Sequence, residues 1–443
     1  MPEQDGQTPE AVPARDIRAG EAIDRWSWTE PSVWTPRMLA ALQEGVKGGK
    51  WYSLMDKVYA PDTLEAAFEE VAANRGAAGV DHVTIKQFAL DLDANLKRLS
   101  EGLRNGSYQP QAIRRRYIPK PGSQEQRPLG IPTIRDRVVQ AALRMVMEPI
   151  FERDFAAHSY GFRPRRGCKD ALRRVDELLK AGYGYVVDAD LKSYFDSIPK
   201  DRLLKLVKQK VTDGRILALI ESFLDQRVLD GMREWTPVQG TPQGAVISPL
   251  LSNIYLDPLD HLMAERGFEM VRYADDFVVL CRSRQDAQAA LAVLQQWTAS
   301  AGLTLHPEKT RLVSTRGQAF EFLGYRFMAG KRWPRSKSMR KLKDGIRAKT
   351  KRTSGHSLCA IIKDVNRTLM GWFEYFKHSR PIVFQSLDMW IRQRLRSILR
   401  KRHKGGGFSH GYDHFRWPNV FFATQGLFNL QSAHAQLCQS SRR

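Results

Sequence analysis

The sequence predicts a layered fold of mixed helices and strands, with mainly helical segments before and after the layer. Short β-branched runs alternate with helical patterns in the middle of the chain. Helical spacing of apolar residues dominates from Trp51 onward and returns after residue 330. Strands interleaved with helices indicate an α/β or α+β layer rather than a helical bundle.

The composition indicates a basic protein with packed cores. Its length of 443 residues suggests about two to four structural units, and its hydrophobic content of 42% is sufficient for packed cores. Lysine and arginine number 70 against 48 aspartates and glutamates, which gives a net charge of +22. This excess indicates a polyanionic partner, although on charge alone a ribosome-associated or generically basic protein is the alternative.

The cysteines and the apolar runs bear on the compartment. Cys168, Cys281, Cys359 and Cys438 lie far apart, which argues against a zinc site or a disulfide scaffold and fits a reducing compartment. No apolar run approaches the roughly 18 residues that a membrane span needs. The acidic N-terminus differs from a signal peptide, so we expect a cytoplasmic protein without a membrane partner.

The first segment, residues 1–50, mixes Pro, Ala, Glu and Gly with weak periodicity, which predicts a mostly flexible leader. Trp26, Trp28 and Trp34 are unusual in such a leader and indicate that part of it docks. Further along, strands are predicted at residues 185–191, 268–273 and 277–281, and a helix at 287–297.

The segment 331–404 holds most of the net charge. It contains 22 lysines and arginines and four acids, or +18 of the total. Two amphipathic helices fit there, with apolar residues from Leu358 to Phe376 and from Phe384 to Ile398. A basic helix pair with exposed aromatics can follow phosphates and stack on bases, whereas the alternative is a solubilising charged face.

Acidic residues mark two of the predicted strands. In the sequence YADD (273–276), Asp275 and Asp276 repel each other unless a cation lies between them, although an ordinary Asp-containing turn is the alternative. Asp188 and Asp190 face the same side of their strand, so periodicity does not choose between them. Asp196 falls past that strand, where a capping or turn role is expected. Two acidic strand ends in basic surroundings suggest two-metal phosphoryl transfer.

These motifs, taken in order, resemble those of group II intron reverse transcriptases and maturases. YADD (273–276) is similar to the signature turn of reverse transcriptases, and DLKSYFD (190–196) to the first palm motif of this branch. Further similar blocks are RPLGIPTIRDR (127–137), SYGFRP (159–164), QGTPQGAVISP (239–249), GLTLHPEKT (302–310) and FLGY (322–325). The resemblance extends from about Trp51 to about Arg402.

The resemblance implies an α+β right-hand polymerase with fingers, a palm containing an antiparallel sheet, and a helical thumb. Residues 51–180 would form an N-terminal extension and fingers, and 181–330 the palm, with part of the fingers at about 200–236. Residues 331–404 would form the thumb or maturase domain, and 405–443 its C-terminal tail. Many relatives carry a Cys-rich endonuclease, and since paired cysteines are absent here, we expect no cleavage of the second DNA strand.

The resemblance also implies a role for particular residues. Asp190, Asp275 and Asp276 would hold two Mg²⁺ ions, which selects Asp190 over Asp188. Phe195 would exclude the 2′-hydroxyl of a ribonucleotide, with a core aromatic as the alternative. The residues that would bind the incoming nucleotide are Lys120, Arg127, Phe195, Gln243 and Lys309. Lys120 and Arg127 would hold its triphosphate, and each has a solvated surface charge as its alternative.

The implied function is RNA-directed DNA synthesis together with maturase activity. The thumb would bind structured intron RNA through Arg392, Arg396, Arg400, Lys401 and Arg402, and the polymerase would take an RNA template, a DNA primer, dNTPs and target DNA. We expect a bacterial cytoplasmic protein that is nucleoid-associated when it acts on DNA, and no sequence feature marks a dimer face. The alternatives are a maturase that only assists splicing, and a reverse transcriptase with a host role in DNA repair or phage defence.

Overall fold

A computed structural model describes residues 25–119, 126–407 and 409–440. Within these ranges the strands are β1 (Ile113–Pro119), β2 (Gln126–Ile131), β3 (Tyr185–Asp190), β4 (Val228–Asp230), β5 (Arg233–Trp235), β6 (Glu269–Tyr273), β7 (Asp276–Cys281), β8 (Arg311–Ser314), β9 (Phe320–Phe322), β10 (Tyr325–Met328) and β11 (Lys331–Pro334). They form sheets of order β2-β1-β4-β5, β6-β7-β3-β8 and β11-β10-β9.

Helices surround these sheets and continue to the end of the described chain. The first of them are α1 (Pro36–Glu44), α2 (Met55–Val58), α3 (Pro61–Ala73), α4 (Ile85–Leu90), α5 (Leu92–Asn105), α6 (Ile134–Glu152), α7 (Cys168–Lys180), α8 (Tyr194–Ser197), α9 (Lys200–Lys208) and α10 (Gly214–Leu224). The later ones are α11 (Ser248–Glu265), α12 (Arg284–Ser300), α13 (Ser336–Lys349), α14 (Leu358–Phe376), α15 (Pro381–Arg402), α16 (Gly411–Arg416), α17 (Asn419–Thr424) and α18 (Leu430–Ser440).

The part of the predicted leader that the structure describes is packed against the rest of the protein. Trp26 and Trp34 are buried in the main core, and the Trp34 indole N–H donates to the Met145 carbonyl on α6 at 2.9 Å. The expected flexible span to residue 50 is therefore too long, because these indoles find apolar cover and a hydrogen-bond acceptor. Residues 1–24 lie outside the described residues.

The sheet β6-β7-β3-β8 is antiparallel throughout, as predicted for the palm. Val187 and Val279 are cross-strand partners within it, and both are fully buried. Helices α11 and α12 cover one face of this sheet, and α7 contacts β6 and β7. Sheet formation therefore fixes the ends of β3 and β7 relative to each other, which is where the acidic residues lie.

The first sheet combines strands that are far apart in the sequence. β1 and β2 form an antiparallel pair in which Ile118 is opposite Arg127, while β4 pairs with β1 in parallel. The two strands within residues 228–235 thereby extend the sheet that the strands within residues 113–131 begin. The loop at residues 239–244 follows directly and leads into α11.

The helices after residue 335 form a separate core. Both predicted amphipathic helices are present as α14 and α15, which bury their apolar stripes against each other and against α13. Trp417, which follows α16, completes this core together with Phe422 of α17 and Leu430 of α18. No helix in the described part of the chain combines the length and the apolar character that crossing a membrane requires.

Candidate active site

The acidic residues of the palm sheet meet at the end of the β3–β7 pair. Asp190 and Asp276 are direct cross-strand partners, so their side chains leave the same face of the sheet. Directly opposite side chains in an antiparallel pair have Cβ atoms about 4.5–5.5 Å apart. Asp275 precedes Asp276 in the turn that joins β6 to β7, where Ala274 adopts a left-handed φ of 59°. The structure therefore brings the three predicted carboxylates to one edge of the palm.

Negative charge is crowded at this edge. Burial, followed by the neighbouring carboxylates of Asp275, Asp188 and Asp190, raises the pKa of Asp276 to about 7. Burial likewise raises the pKa of Asp275; Asp190 adds to this rise, whereas Arg127 opposes it. Carboxylates in this arrangement favour either a proton or a bound cation, because both relieve the repulsion.

The structure distinguishes the two carboxylates that strand periodicity left open. Asp188 is held by the guanidinium of Arg311 on the neighbouring strand β8, at 2.9 and 3.1 Å. Asp190 pairs with the ammonium of Lys309 at 2.6 Å, and that lysine side chain is 60% exposed. The Arg311 side chain is itself 50% exposed, but its guanidinium makes two hydrogen bonds to Asp188. The flexible lysine makes one to Asp190 and is released more readily, which favours Asp190 as a ligand.

The donor chemistry of this edge fits a hard divalent cation, since carboxylate oxygens are the ligands that Mg²⁺ prefers. Within the described ranges, no group of three or more His, Cys, Asp or Glu side chains is close enough to hold a metal ion. The ammonium of Lys309 is the cation in contact with Asp190 in this structure. Asp190, Asp275 and Asp276 are the residues that would hold the metal.

The loop at residues 239–244 connects the fingers strand β2 to the turn that contains Phe195. The Gly130 N–H donates to the Gln243 carbonyl at 2.6 Å, and the Thr241 N–H donates to the Phe195 carbonyl at 2.7 Å. Gly244 has a φ of 105°, and a Cβ there would lie 2.5 Å from the Gly130 carbonyl oxygen, so only glycine fits. The predicted nucleotide residues Phe195 and Gln243 are therefore linked through backbone contacts.

Asp196 has a partner that sequence reasoning missed. The Gln243 side-chain amide donates to Asp196 Oδ2 at 3.2 Å. The sequence predicted a local capping or turn role, and Asp196 does lie in the first turn of α8. Its contact with Gln243 spans 47 residues of sequence, and no local pattern signals a pair of that separation.

Of the two residues predicted to bind the triphosphate of the nucleotide, the structure describes one. Arg127 lies on β2 with an exposed side chain, and its charge opposes the rise in the pKa of Asp275, so it faces the acidic edge of the palm. Lys120 lies outside the described residues. Its predicted role stays a prediction.

Two of the predicted RNA-binding arginines contact other parts of the protein, and one of them is buried. Arg396 is 2% exposed, and its guanidinium donates to the Trp417 carbonyl at 2.9 Å and to Asn419 Oδ1 at 2.7 Å. Arg400 donates to the Gly406 carbonyl and pairs with Asp413 at 3.0 Å. The prediction for Arg396 is corrected, because α16 and α17 pack back onto α15 and cover this side of it. Arg400 keeps a side chain that is 24% exposed, and its RNA-binding role stays a prediction.

The other predicted RNA-binding residues retain access to solvent. Lys401 and Arg402 are exposed at the end of α15, and Arg392 is half-buried. Arg402 also donates to the His356 carbonyl in the loop before α14. Solvent therefore reaches the side chains of all three of these residues.

Comparisons with known proteins extend beyond the site. The family model described as reverse transcriptase (RNA-dependent DNA polymerase) matches residues 118–327, and the model described as group II intron, maturase-specific domain matches residues 339–417. Protein YkfC of Escherichia coli is 32% identical over 347 residues, which cover 68% of this chain and 86% of YkfC. This chain belongs to the group II intron reverse transcriptase and maturase family.

A second relative is named as a protein encoded by a group II intron. The group II intron-encoded protein LtrA of Lactococcus lactis is 37% identical over 207 residues, which cover 46% of this chain and 34% of LtrA. Among solved structures, a partial Cas6-RT-Cas1–Cas2 complex matches 56% of this chain and 41% of its own chain, with 24% identity and a TM-score of 0.36.

Family membership explains the architecture described above. The reverse transcriptase match covers the palm sheet and the first sheet except for most of β1, and the maturase match covers α14 and α15 with most of α13. The chain has the right-hand polymerase fold that the sequence predicted, with fingers, palm and helical thumb. It is an RNA-directed DNA polymerase that carries a maturase domain.

Proposed function

We propose that this reverse transcriptase copies an RNA template into DNA with two Mg²⁺ ions held by Asp190, Asp275 and Asp276. The single observation that carries the proposal is the cross-strand pair of Asp190 and Asp276 beside the Asp275 turn. Crowded carboxylates favour cation binding there, because a cation relieves their mutual repulsion. The exposed ammonium of Lys309 marks Asp190 as accessible to a cation.

The metal ions would activate the primer 3′-hydroxyl and stabilise the leaving pyrophosphate. The residues of the chain would bind and orient the reactants. Arg127 and Lys120 would hold the triphosphate, since guanidinium and ammonium groups bind phosphate oxygens. Phe195 would pack against the sugar and exclude a 2′-hydroxyl, and Gln243 would form the surface beneath the nucleotide. Lys309 would move from Asp190 to the nucleotide when the metal binds.

We propose structured intron RNA as the partner of the maturase domain. The segment 331–404 carries +18 of the net charge, which supports binding to phosphates. Lys401, Arg402 and Arg392 would contact RNA, since solvent reaches their side chains. The proposed substrates of the polymerase are dNTPs, an RNA template, a DNA primer and target DNA. With these partners, we propose that the protein acts in the bacterial cytoplasm, at the nucleoid when it acts on DNA.

Primer extension on an RNA template, with Mg²⁺ and dNTPs, tests the polymerase proposal. We expect extension by the wild type and a loss of at least about a thousandfold in Asp275→Ala, the scale of removing a central catalytic group. Asp225→Ala is the matched control, because Asp225 is exposed and pairs only at the surface with Lys200. It should extend primers like the wild type.

A folded wild type that binds structured RNA tightly and extends no primer would overturn the polymerase proposal. In that outcome the chain would be a maturase that only assists splicing. Equal extension by wild type and Asp275→Ala would overturn the assignment of the metal residues instead.

A further inference from the structure

Arg272 is a fully buried arginine on β6, three residues before Asp275 in the sequence. Its Nε donates to Asp260 Oδ1 at 2.8 Å and Oδ2 at 3.0 Å, and Nη2 also contacts Asp260. Nη1 donates to Asn253 Oδ1 at 2.9 Å. Asp260 and Asn253 are themselves buried on α11, so the guanidinium is fixed to one helix on two sides.

The same guanidinium also contacts the turn between β6 and β7 that contains Ala274 and Asp275, the catalytic turn. Nη1 of Arg272 donates to the Ala274 carbonyl at 2.9 Å, which belongs to the peptide immediately before Asp275. Ala274 has a φ of 59°, a left-handed conformation that is unfavourable for a residue with a Cβ. Such a conformation persists where its surroundings hold it in place, and Arg272 supplies a hydrogen bond for that purpose.

The other side of the turn is closed by the segment before α7. The His158 carbonyl accepts from the Arg272 N–H at 3.0 Å, and the Tyr160 N–H donates to the Arg272 carbonyl at 2.9 Å. Gly161 follows, and a Cβ there would lie 2.2 Å from the Ala274 nitrogen. The Gly161 carbonyl accepts from the Asn253 side chain at 2.8 Å, which connects this segment to the same helix.

Helix α11 also holds the turn that contains Phe195. The Tyr194 hydroxyl donates to the Ser252 carbonyl at 2.7 Å, and Tyr194 is buried beside Phe195. Ser252 is adjacent to Asn253, the partner of Arg272. One helix therefore anchors both the proposed metal turn and the proposed sugar-contacting turn.

We propose that Arg272 is a positioning residue that sets the place of Asp275 and Asp276 through the Ala274 carbonyl, using Asp260 and Asn253 on α11 as its support. This inference rests on the proposed function of the same turn. A planar guanidinium is required because it binds a carboxylate, an amide oxygen and a backbone carbonyl in different directions at once. A lysine supplies the same charge from a single nitrogen and cannot span these partners.

The test compares Arg272→Lys with the wild-type full-length chain. Single-turnover dNTP incorporation is measured over a range of dNTP concentrations, and binding of Mn²⁺ alone is measured by the loss of its free EPR signal. We expect the maximal rate of Arg272→Lys to be at least about tenfold lower than that of the wild type, and its KM for dNTP to stay within about threefold of the wild-type value. The reason is that misplacing catalytic groups slows chemistry more than it weakens substrate binding. Mn²⁺ binding should weaken at least about threefold, since the ligands lose their fixed geometry.

Arg396→Lys is the matched control. Arg396 is also buried, and its guanidinium donates to the Trp417 carbonyl and to Asn419 Oδ1 beside the separate core after residue 335. It should lower the melting temperature while leaving Mn²⁺ affinity and the KM for dNTP at wild-type values. The proposal is overturned if Arg272→Lys shows only this loss of melting temperature, with wild-type rate and Mn²⁺ affinity.

A second variant keeps the test decisive if Arg272→Lys does not fold. Asn253→Ala removes one support of the guanidinium and leaves the pair with Asp260 in place, and it should lower the rate and weaken Mn²⁺ binding in the same direction. Wild-type values for both in a folded Asn253→Ala would overturn the proposal. If the wild type itself incorporates no dNTP, the proposed function fails, and the comparison of Mn²⁺ affinities still decides the role of Arg272.

Discussion

Lys309 and Asp190 form an ion pair in which the ammonium lies 2.6 Å from Asp190 Oδ2. The lysine side chain is largely exposed, whereas Asp190 is fixed at the end of β3 by its pairing with β7. An exposed pair of this kind contributes at most about 1 kcal/mol to stability, so it opens readily. The ammonium and a metal ion therefore compete for the same carboxylate oxygen.

Removing this competitor should favour the metal. We expect Lys309→Ala to lower the Mg²⁺ concentration for half-maximal primer extension by about two- to fivefold, the range that an exposed ion pair allows. A Mg²⁺ titration of the extension rate at saturating dNTP measures this. Lys180→Ala, at the exposed end of α7, is the control. An unchanged or increased Mg²⁺ requirement would contradict the competition.

The hydrogen bond between Gln243 and Asp196 predicts coupled effects on nucleotide binding. Gln243→Ala and Asp196→Ala should each raise the KM for dNTP by about three- to tenfold, as expected for the loss of one hydrogen bond. The double variant should be little worse than either single variant, because both changes remove the same contact. Steady-state kinetics of the four proteins give this cycle, and fully additive effects would show that the two residues act independently.

Asp213 predicts how stability depends on pH. Its carboxylate accepts backbone N–H groups from Leu54 and Met55 at 2.8 and 3.0 Å, and from Arg215 and Ile216 at 2.9 and 3.2 Å. Burial raises the pKa of Asp213, but these four N–H groups outweigh it and hold the pKa below its usual value. The carboxylate thus stabilises the fold above its unfolded-state pKa, and this contribution is lost as the pH falls through the depressed folded-state pKa.

Asp213→Asn removes the charge and keeps the shape of the side chain. We expect it to lower the free energy of unfolding at pH 7 by about 1.5–3 kcal/mol, the range for hydrogen bonds to a charged group. The difference from wild type should shrink as the pH falls below about 4, where the unfolded-state carboxylate is protonated. Urea unfolding at several pH values measures this, with Asp225→Asn as the exposed control. A difference that is constant with pH would show that the charge is unimportant.

Substitutions in α15 of the thumb should affect either RNA binding or stability, depending on whether the side chain is exposed or buried. Lys401→Gln should weaken binding to structured RNA and reduce the slope of log affinity against log salt by about 1, with the melting temperature unchanged. Arg396→Gln should lower the melting temperature and leave the salt slope unchanged, because its guanidinium binds Trp417 and Asn419. Filter binding over a salt series distinguishes the two, and a reduced slope for Arg396→Gln would restore it as an RNA contact.

Local sequence patterns were sufficient for the elements of the palm. Short runs of β-branched and other apolar residues placed β3, β6 and β7 within one residue of their observed bounds, since these strands are covered on both faces. The paired carboxylates of the turn were visible because adjacent acids are costly without a cation. Periodicity did not choose between Asp188 and Asp190, because that choice depends on Arg311 and Lys309 from distant segments.

Contacts between distant segments account for what the sequence did not predict. Arg396 follows the basic pattern of α15, and its burial depends on helices that fold back from residues 411–424. Arg272 looks like an ordinary polar residue of a strand until α11 brings Asp260 against it. Trp34 lies in a weakly periodic segment, and its core position depends on α6. Tertiary packing decides each of these cases, and no local spacing encodes it.

The most direct test of the account compares Asp190→Asn with Asp188→Asn in RNA-templated primer extension. Both carboxylates face the same side of β3 two residues apart, so the pair controls for general disturbance of the strand. Asp190→Asn should abolish extension, while Asp188→Asn, which loses its pair with Arg311, should keep a rate within about tenfold of wild type. Abolished extension in Asp188→Asn together with a near wild-type rate in Asp190→Asn would contradict the proposed metal site.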